Sequence, residues 1–354
     1  MDPLLSVDPC GLYCAAGDFH VDPWRPVPRA VVTHAHGDHL TRGCGRYLVA
    51  HDGRTVTAVR LGSDARIQTA PYGETLSING VTVSLHPAGH ILGSAQVRIE
   101  HAGHVAVVTG DFKAAPGATA AAFEPVPCHT LVPESTFALP IYRWPDEALV
   151  AADIAAWWDD ARQRGRTAVL FAYALGKAQR LLALLPDPLP GPVFTHGAVE
   201  RLTEAYRHAG VHLPRTHHAS SYRADNPDHA GALVVAPPST RASPWLRRFG
   251  DVTTAFASGW MRVRGTRRRR AVDRGFVLSD HADWPGLLRA IEATGAERVL
   301  PTHGYTEVLA RWCRECGLDA EPLPTAYAAT LDDEEATPTL DDEAHDTGDD
   351  EATP

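Results

Sequence analysis

Three histidines and one aspartate lie within six consecutive positions of the stretch THAHGDHL, as His34, His36, Asp38 and His39. Neutral imidazole nitrogens and carboxylate oxygens are the ligands of zinc and similar cations. A regular strand or helix would point these side chains in different directions, because strand side chains alternate and helix side chains spread around the axis. A loop at the end of a strand can instead direct His34 and His36 toward one ion and Asp38 and His39 toward another.

Further polar residues follow short apolar runs elsewhere in the sequence, and each run predicts a strand. The unbroken Val, Leu and Ala content of the runs indicates sheets that are covered on both faces. Polar side chains at the ends of such strands commonly lie on loops at one edge of the fold. We therefore expect one site to receive His90 of VTVSLHPAGHILGS, Asp111 of HVAVVTGDFK, Glu134 of HTLVPESTF, His281 of RGFVLSDHADW and His303 of AERVLPTHGYTE.

The ligand types predict a binuclear metal site. Two metal ions about 3.5–4 Å apart need a shared carboxylate, and together they hold the attacking and leaving oxygens of a phosphoryl displacement. Asp111 is the natural bridge between such ions. His90 then completes the ligands of the first ion and His303 those of the second. We expect two Zn2+ in this site, with Mn2+ as the alternative metal.

The segment from 141 to 270 has a different pattern, in which strands alternate with helices, and it predicts a small parallel α/β unit. Candidate ligands lie on both sides of this segment and belong to one predicted site. We therefore expect a first domain at 1–140 that is interrupted by an inserted domain at 141–270 and resumes at 271–328. The remainder, 329–354, is predicted to be a disordered acidic tail, because the last 24 residues hold eleven acidic residues and no Lys or Arg.

Composition argues against two classes of protein. No stretch approaches the roughly 20 apolar residues that span a bilayer, and the N-terminal sequence lacks a basic and then apolar signal segment, so we expect a cytoplasmic protein without membrane contact. Six cysteines among 354 residues are too sparse for a disulfide framework. Cys10 and Cys14 could join Cys313 and Cys316 in a thiolate zinc site, but the second pair lies in a predicted helix, where semi-buried small side chains are the simpler interpretation.

THAHGDHL resembles the HxHxDH signature of the metallo-β-lactamase fold, and His90 and Asp111 match the third and fourth motifs of that fold. The resemblance implies an α/β protein, the metallo-β-lactamase αββα sandwich. Asp18, sixteen positions before His34, resembles the first aspartate of the fold, which orients the metal-binding loop without ligating a metal. Asp22 is the alternative residue for that role.

The insertion and three further motifs resemble those of the β-CASP branch of this fold, which comprises nucleases of DNA and RNA. The motifs are Glu134 in ESTF, His281 in SDHAD and His303 in PTHG. The resemblance implies an inserted α/β β-CASP domain. It also implies catalytic roles for the metal ligands Asp38 and Asp111, with Glu134 orienting His281, which stabilises charge on the phosphate or protonates the leaving oxygen.

Finer sequence features resemble the bacterial and archaeal ligase-associated DNA exonucleases within that branch. They include GLYCAAGDF, DPWRP, ASGWM and LSDHADWPGL. The resemblance implies a DNA exonuclease that acts in DNA repair, in functional association with a DNA ligase and a helicase. The eukaryotic DNA-cutting members usually lack the last-motif histidine that is present here as His303, so a ribonuclease acting on RNA stays the alternative. A small-molecule metallohydrolase is the weaker alternative, because a small substrate needs neither the insertion nor an arginine run.

Two basic features are candidates for contact with nucleic acid. In RVRGTRRRR, the guanidinium groups of Arg267, Arg268, Arg269 and Arg270 suit phosphate oxygens, although a solvated charged loop is the simpler alternative. In ALGKAQR, Lys177 lies where a helix is predicted to begin after a strand, and free backbone N–H groups at such a start bind anions. We expect both features to bind phosphates of the polymer.

Overall fold

The computed structural model of the protein describes residues 4–263 and 272–324. The chain divides into two compact units. The first unit contains the described residues up to 143 and from 280 onward, and the second contains those from 144 to 279. No described helix is long and apolar enough to cross a membrane.

The first part of the first unit consists mainly of strands, as its short apolar runs predict. A short 3-10 helix at His51–Gly53 precedes its α-helix. The elements are β1 (Ser6–Asp8), β2 (Gly11–Cys14), β3 (Phe19–Val21), β4 (Ala30–Val31), β5 (Tyr47–Ala50), α1 (Arg54–Leu61), β6 (Ile67–Ala70), β7 (Thr75–Ile78), β8 (Val81–Pro87), β9 (Ala95–His101), β10 (His104–Gly110) and β11 (Thr130–Ser135).

The second unit alternates helices and strands. Its first helix begins after Asp146, whose Oδ1 accepts a hydrogen bond from the backbone N–H of Ala148 at 2.7 Å and so satisfies one of the free donors at the helix start. Short 3-10 helices occupy Ala219–Ser221, Pro227–His229, Pro238–Ala242, Pro244–Phe249 and Gly259–Arg262. The longer elements are α2 (Glu147–Gln163), β12 (Thr167–Phe171), α3 (Lys177–Ala183), β13 (Val193–Thr195), α4 (Gly197–His208), β14 (His217–His218), β15 (Leu233–Ala236), β16 (Val252–Ala257) and β17 (Arg274–Phe276).

The chain returns to the first unit after Ser279. The first helix of this return begins after Asp283, whose Oδ1 accepts a hydrogen bond from the backbone N–H of Gly286 at 2.9 Å. It ends just before Gly295, which has a φ of 64°, a left-handed conformation that glycine adopts readily. The elements are α5 (Trp284–Thr294), β18 (Arg298–Val299), β19 (Thr302–Gly304), α6 (Thr306–Glu315) and β20 (Asp319–Ala320).

Two sheets form the body of the first unit. Strands lie in the order β1-β2-β3-β4-β5-β6 in one sheet and β20-β18-β11-β10-β9-β8-β7 in the other, where β19 also pairs with β11. Strand β9 is antiparallel to both β8 and β10, and β11 is parallel to both β10 and β19. Four strands therefore run in the same direction: β8, β10, β11 and β19. Their carboxyl ends therefore share one edge, which receives His90, Asp111, Glu134 and His303.

Strand β10 shows how the second sheet is covered on both faces. Ala106 and Val108 contact a core that also contains side chains of the first sheet. Val105 and Val107 contact a separate core that contains side chains of α5 and α6. Successive side chains of a strand point to opposite faces, and each buried Val contributes about 1.5–3 kcal/mol of transfer free energy. The two facing sheets with covering helices confirm the sandwich that the sequence motifs imply.

The second unit contains a parallel sheet of its own, in the order β14-β13-β15-β12-β16-β17. Its central strand β12 is buried along its whole length, as a strand that is covered on both faces requires. The predicted end of the insertion at 270 needs correction, because β17 pairs with β16 and the second unit continues to Ser279. From the sequence, the apolar run that contains β17 was assigned to the resumed first domain.

Candidate active site

The loop that carries His34 lies close to the end of β10. Its first residue, Thr33, accepts a hydrogen bond at its backbone carbonyl from the N–H of Ala95 at 2.8 Å. Gly110 ends β10 with a φ of 55°, and a Cβ at this position would lie 2.5 Å from the side chain of Thr33. Glycine is therefore required here by both space and conformation. The close approach lets β10 deliver Asp111 beside the histidine loop.

Four ligand atoms converge in the first set. Nε2 of His34 lies 3.0 Å from Nδ1 of His36 and 3.4 Å from Oδ2 of Asp111. Nε2 of His90 lies 3.1 Å from the same nitrogen of His36 and 3.6 Å from the same oxygen of Asp111. Ligands at about 2.0–2.1 Å from a tetrahedral zinc ion lie about 3.3 Å from one another. The four atoms are therefore spaced to surround one cation.

Hydrogen bonds behind two of these rings determine which nitrogen faces the site. Nδ1 of His90 donates to the backbone carbonyl of Asp280 at 2.9 Å, which leaves the lone pair of Nε2 for a metal. Nδ1 of His34 lies 3.0 Å from the hydroxyl of Thr33. Sequence reasoning did not identify these supporting groups. The position of Thr33 directly before the motif could have identified it as a supporting residue. The carbonyl of Asp280 could not be identified in this way, because every residue type has a backbone carbonyl.

The protonation states of the first set also suit a metal. Burial lowers the pKa of His34 well below its usual value and lowers the pKa of His90 to about 3, so both rings are neutral. Burial alone would raise the pKa of Asp111, but the charges of His39 and His281 outweigh this effect and hold it well below its usual range. Neutral imidazoles and an ionised carboxylate are the forms that ligate metals.

The other oxygen of Asp111 faces a second set of candidate ligands. Nε2 of His39 lies 3.5 Å from Oδ1 of Asp111 and 3.5 Å from Oδ2 of Asp38. This nitrogen is buried and makes no hydrogen bond within the described residues. The ring of His303 lies 5.1 Å from the ring of His39, centroid to centroid. Asp111 thus presents one oxygen to each set, which is the arrangement of a bridging ligand.

His303 adopts a backbone conformation that non-glycine residues rarely occupy. Its φ is 51°, and such conformations cost free energy and persist where the surrounding structure enforces them. Here the hydroxyl of Ser135 donates to the carbonyl of His303 and, at 3.1 Å, to that of Thr302. The next residue, Gly304, passes so close to β11 that a Cβ would lie 2.4 Å from the carbonyl oxygen of Ser135. Strand β11 therefore holds the turn that positions His303.

Asp22, and not Asp18, supports the metal-binding loop. Oδ1 of Asp22 accepts a hydrogen bond from the backbone N–H of Thr33 at 2.8 Å, and Oδ2 accepts one from the Thr33 hydroxyl at 2.6 Å. Oδ2 also lies 2.7 Å from Nδ1 of His39. The side chain of Asp18 is 64% exposed and lies near Tyr13 and Arg29 instead. The assignment of loop orientation to Asp18 is therefore corrected in favour of the alternative, Asp22.

Glu134 and His281 form a buried pair beside the first set. Oε2 of Glu134 lies 2.7 Å from Nδ1 of His281, and Oε1 accepts a hydrogen bond from the backbone N–H of Phe112 at 2.7 Å. The ring of His281 lies 4.7 Å from that of His90, centroid to centroid. A histidine whose Nδ1 is bound by a carboxylate can hold or deliver a proton at Nε2. The pair therefore has the composition of a proton-handling group next to the metal ligands.

The two predicted phosphate contacts have different outcomes. Lys177 is 2% exposed, and its Nζ lies 5.5 Å from the centroid of the Tyr173 ring. The prediction that Lys177 offers an open anion site is corrected, because its ammonium is buried beside an aromatic ring. Arg267–Arg270 lie outside the described residues, and so does the predicted tail at 329–354.

Comparisons with known proteins agree with this geometry. No family model matches the chain. A "Probable DNA ligase" from Opitutus terrae is 36% identical over 313 residues, which cover 88% of this chain and 30% of that protein. "Endoribonuclease YSH1" from Saccharomyces cerevisiae is 30% identical over 126 residues, which cover 34% of this chain and 16% of that protein. The chain thus spans less than a third of the length of either relative.

A solved structure shares the fold. The "Crystal Structure of a Protein of Unknown Function from Enterococcus faecalis V583" matches 77% of this chain and 74% of that chain, with a TM-score of 0.50 and 14% identity. At this identity the match concerns the fold alone. The family assignment comes from the sequence relatives. The chain is related to the β-CASP nucleases of the metallo-β-lactamase fold, the branch that its sequence motifs resemble.

Proposed function

We propose that the protein is a binuclear metal-dependent nuclease that hydrolyses phosphodiester bonds of DNA, trims the polymer from an end and acts in DNA repair. The observation that carries this proposal is the position of Asp111 between two sets of ligands. Its Oδ2 lies 3.4 Å from His34 and 3.6 Å from His90, and its Oδ1 lies 3.5 Å from His39. A carboxylate shared in this way supports a two-metal phosphodiesterase.

The residues present fit a pair of divalent cations. Nε2 of His39 is buried and makes no hydrogen bond within the described residues. Burial lowers the pKa of His34 and His90, and their Nε2 atoms lie 3.4 and 3.6 Å from Oδ2 of Asp111. Such cations would supply Lewis acidity to a phosphate oxygen and lower the pKa of water. The first would be held by His34, His36, His90 and Asp111, and the second by Asp38, His39, Asp111 and His303. Zinc suits these ligands, with manganese as the alternative.

The protein side chains then handle orientation and protons. Asp22 holds the ring of His39 through Nδ1 at 2.7 Å, so Nε2 is directed toward Asp111. Glu134 holds Nδ1 of His281 at 2.7 Å and so fixes the orientation of the imidazole. His281 can therefore deliver a proton to the oxygen that leaves the phosphorus, or stabilise the charge that develops on it.

The choice of DNA as substrate has its own support. A relative that aligns with 88% of this chain is named a probable DNA ligase. The aligned region is therefore part of a protein whose name concerns DNA. By that relationship we propose functional association with a DNA ligase. Association with a helicase rests only on the motif resemblance. RNA is the second candidate substrate, because the relative from Saccharomyces cerevisiae is named an endoribonuclease and because His303 is present at the last motif.

Metal content tests the binuclear site. Elemental analysis of the purified protein is expected to give at least two transition-metal ions per chain, and strong chelation should remove the active-site pair together with activity. Asp111→Asn should lower the content of both ions, since a carboxamide is a poor bridging ligand. The matched control is Asp64→Asn, which changes an exposed carboxylate and should leave both ions in place. One ion or fewer in a fully active sample would overturn the proposal.

A further inference from the structure

We propose that Asp8, Cys10 and His20 form an additional binding site for a divalent cation of the zinc class, separate from the active site. One ligand atom of each residue lies within 4.8 Å of the corresponding atoms of the other two. The set combines a carboxylate, a thiol and an imidazole, each of which ligates zinc. Among the candidate metal clusters of the described residues, it is the one that contains a cysteine.

The turn between β1 and β2 places two of the ligands. Asp8 pairs with Gly11 across these strands, so Pro9 and Cys10 form a two-residue turn. Oδ1 of Asp8 accepts hydrogen bonds from the backbone N–H groups of Cys10 at 2.7 Å and Gly11 at 3.0 Å. One carboxylate oxygen thus fixes the turn, and the other, Oδ2, lies 3.0 Å from Nε2 of His20.

The third ligand comes from the far side of β2. His20 lies in β3, where it pairs with Tyr13, and its ring lies 4.6 Å from the Tyr13 ring, centroid to centroid. Nε2 of His20 lies 3.0 Å from Oδ2 of Asp8. The side chain of His20 is 10% exposed and that of Asp8 is 33% exposed. The imidazole is therefore fixed by packing, whereas the carboxylate is reachable from solvent.

The charge and spacing of the cluster suit zinc. The separation of 3.0 Å between Nε2 of His20 and Oδ2 of Asp8 is close to the edge of about 3.3 Å expected around tetrahedral zinc. Burial works to raise the pKa of Asp8, but hydrogen bonds with His20 and with the backbone of Cys10 outweigh it and lower the pKa. Cys10 is a free thiol that is partly exposed. Three protein ligands leave the fourth position of the ion for water.

Occupation of this site would connect β1 to β3 across β2. The residue that follows β3 is Asp22, which binds Thr33 and His39 of the metal-binding loop. A cation at the cluster would therefore stabilise the strand that leads to a supporting residue of the active site. An ordinary hydrogen-bonded pair of Asp8 and His20 is the alternative, and in that case the thiol takes no part.

Cobalt is the probe that separates this site from the active site. Metal-free protein would be titrated with Co2+, and the near-ultraviolet absorption of a thiolate–cobalt bond would be recorded with the bound equivalents. None of the candidate active-site ligands is a cysteine, so this absorption reports the proposed cluster. Wild type should show the band, and Cys10→Ser should lose both the band and one equivalent. Cys316→Ser, which changes an exposed free thiol, is the matched control and should keep both.

The outcomes decide between the alternatives. Absence of the band in wild type, or its persistence in Cys10→Ser, would overturn the proposal. A second measurement uses zinc-dependent melting of Asp111→Asn, in which the active site is weakened. Zinc should raise the melting temperature of this variant, and adding Cys10→Ser should remove that rise without changing melting in chelator. If zinc raises the melting temperature equally with and without Cys10, the proposed site is contradicted. This measurement does not depend on nuclease activity.

Discussion

Nδ1 of His281 lies 2.7 Å from Oε2 of Glu134, a residue that precedes it by 147 positions in the sequence. The other oxygen of Glu134 accepts a hydrogen bond from the backbone N–H of Phe112 at 2.7 Å, and Phe112 directly follows Asp111. One buried carboxylate therefore connects His281, the proposed proton donor, to the backbone next to Asp111, the proposed bridging ligand. This relationship allows the role of His281 to be separated from that of the metal ligands.

Replacement of His281 should slow catalysis without removing metal. His281→Ala is expected to keep both ions and near-normal DNA binding, while the rate falls by a factor on the order of 10²–10⁴, which is typical of lost acid–base help. Glu134→Gln should give a smaller fall, because it disturbs the orientation of His281 rather than removing the group. Single-turnover cleavage, metal content and melting temperature measured together test this expectation.

The control for this prediction is His101→Ala, which changes an exposed histidine and should leave the rate unchanged. If His281→Ala loses a metal ion, His281 is a ligand and the assignment is wrong. If it loses stability while the bound enzyme keeps its full rate, the residue is structural.

Asp22 and Asp18 offer a matched pair of substitutions. Asp22→Asn should weaken metal binding at the second set by about 10–100-fold, the range for lost supporting hydrogen bonds to a ligand, because Asp22 lies 2.7 Å from Nδ1 of His39. Asp18→Asn should bind metal like wild type, because Asp18 is 64% exposed and contacts no candidate ligand. Metal dissociation constants from competition with a chelating dye give the comparison. Equal constants for the two variants would contradict the supporting role of Asp22.

The types and spacing of residues select the candidate ligands, and their role as metal ligands stays a prediction. His34 and His36 lie two positions apart, and the parallel strands β10, β11 and β19 bring Asp111 and Glu134 to one edge with His303. The sandwich was implied by the resemblance of these motifs to a known fold. The parallel direction of the strands is visible only in the structure.

Features that depend on tertiary contacts were predicted less well. Asp18 and Asp22 are both aspartates close before the motif, and only the pairing of β3 with β4, together with the contact to Thr33, selects Asp22. Lys177 follows a glycine at a helix start, but its burial depends on packing that local sequence does not report. The end of the insertion was misplaced because an apolar strand has the same pattern in either unit, and β17 joins β16.

The arginine run is predicted to bind the phosphate backbone. Replacing Arg267–Arg270 with Ser should weaken DNA binding and reduce the slope of log affinity against log salt by about 0.9 for each lost phosphate contact. Cleavage of substrate that is already bound should change much less. Arg162 in the last turn of α2 and Arg164 just after that helix are 46% and 67% exposed. Their substitution to Ser is a control that removes charge elsewhere. An unchanged salt slope would identify the run as a solvated loop.

The most direct test of the whole account is cleavage of DNA and RNA of the same sequence, each labelled at the 5′ or the 3′ end. Reactions would contain Zn2+, Mn2+ or excess chelator, and Asp111→Asn prepared in the same way would control for contaminating nucleases. We expect metal-dependent release of short products from one end of the DNA, little cleavage of the RNA, and no activity with chelator or with Asp111→Asn. Cleavage of RNA in preference to DNA would favour the ribonuclease alternative. Cleavage that persists in chelator or in Asp111→Asn would contradict the metal-dependent nuclease itself.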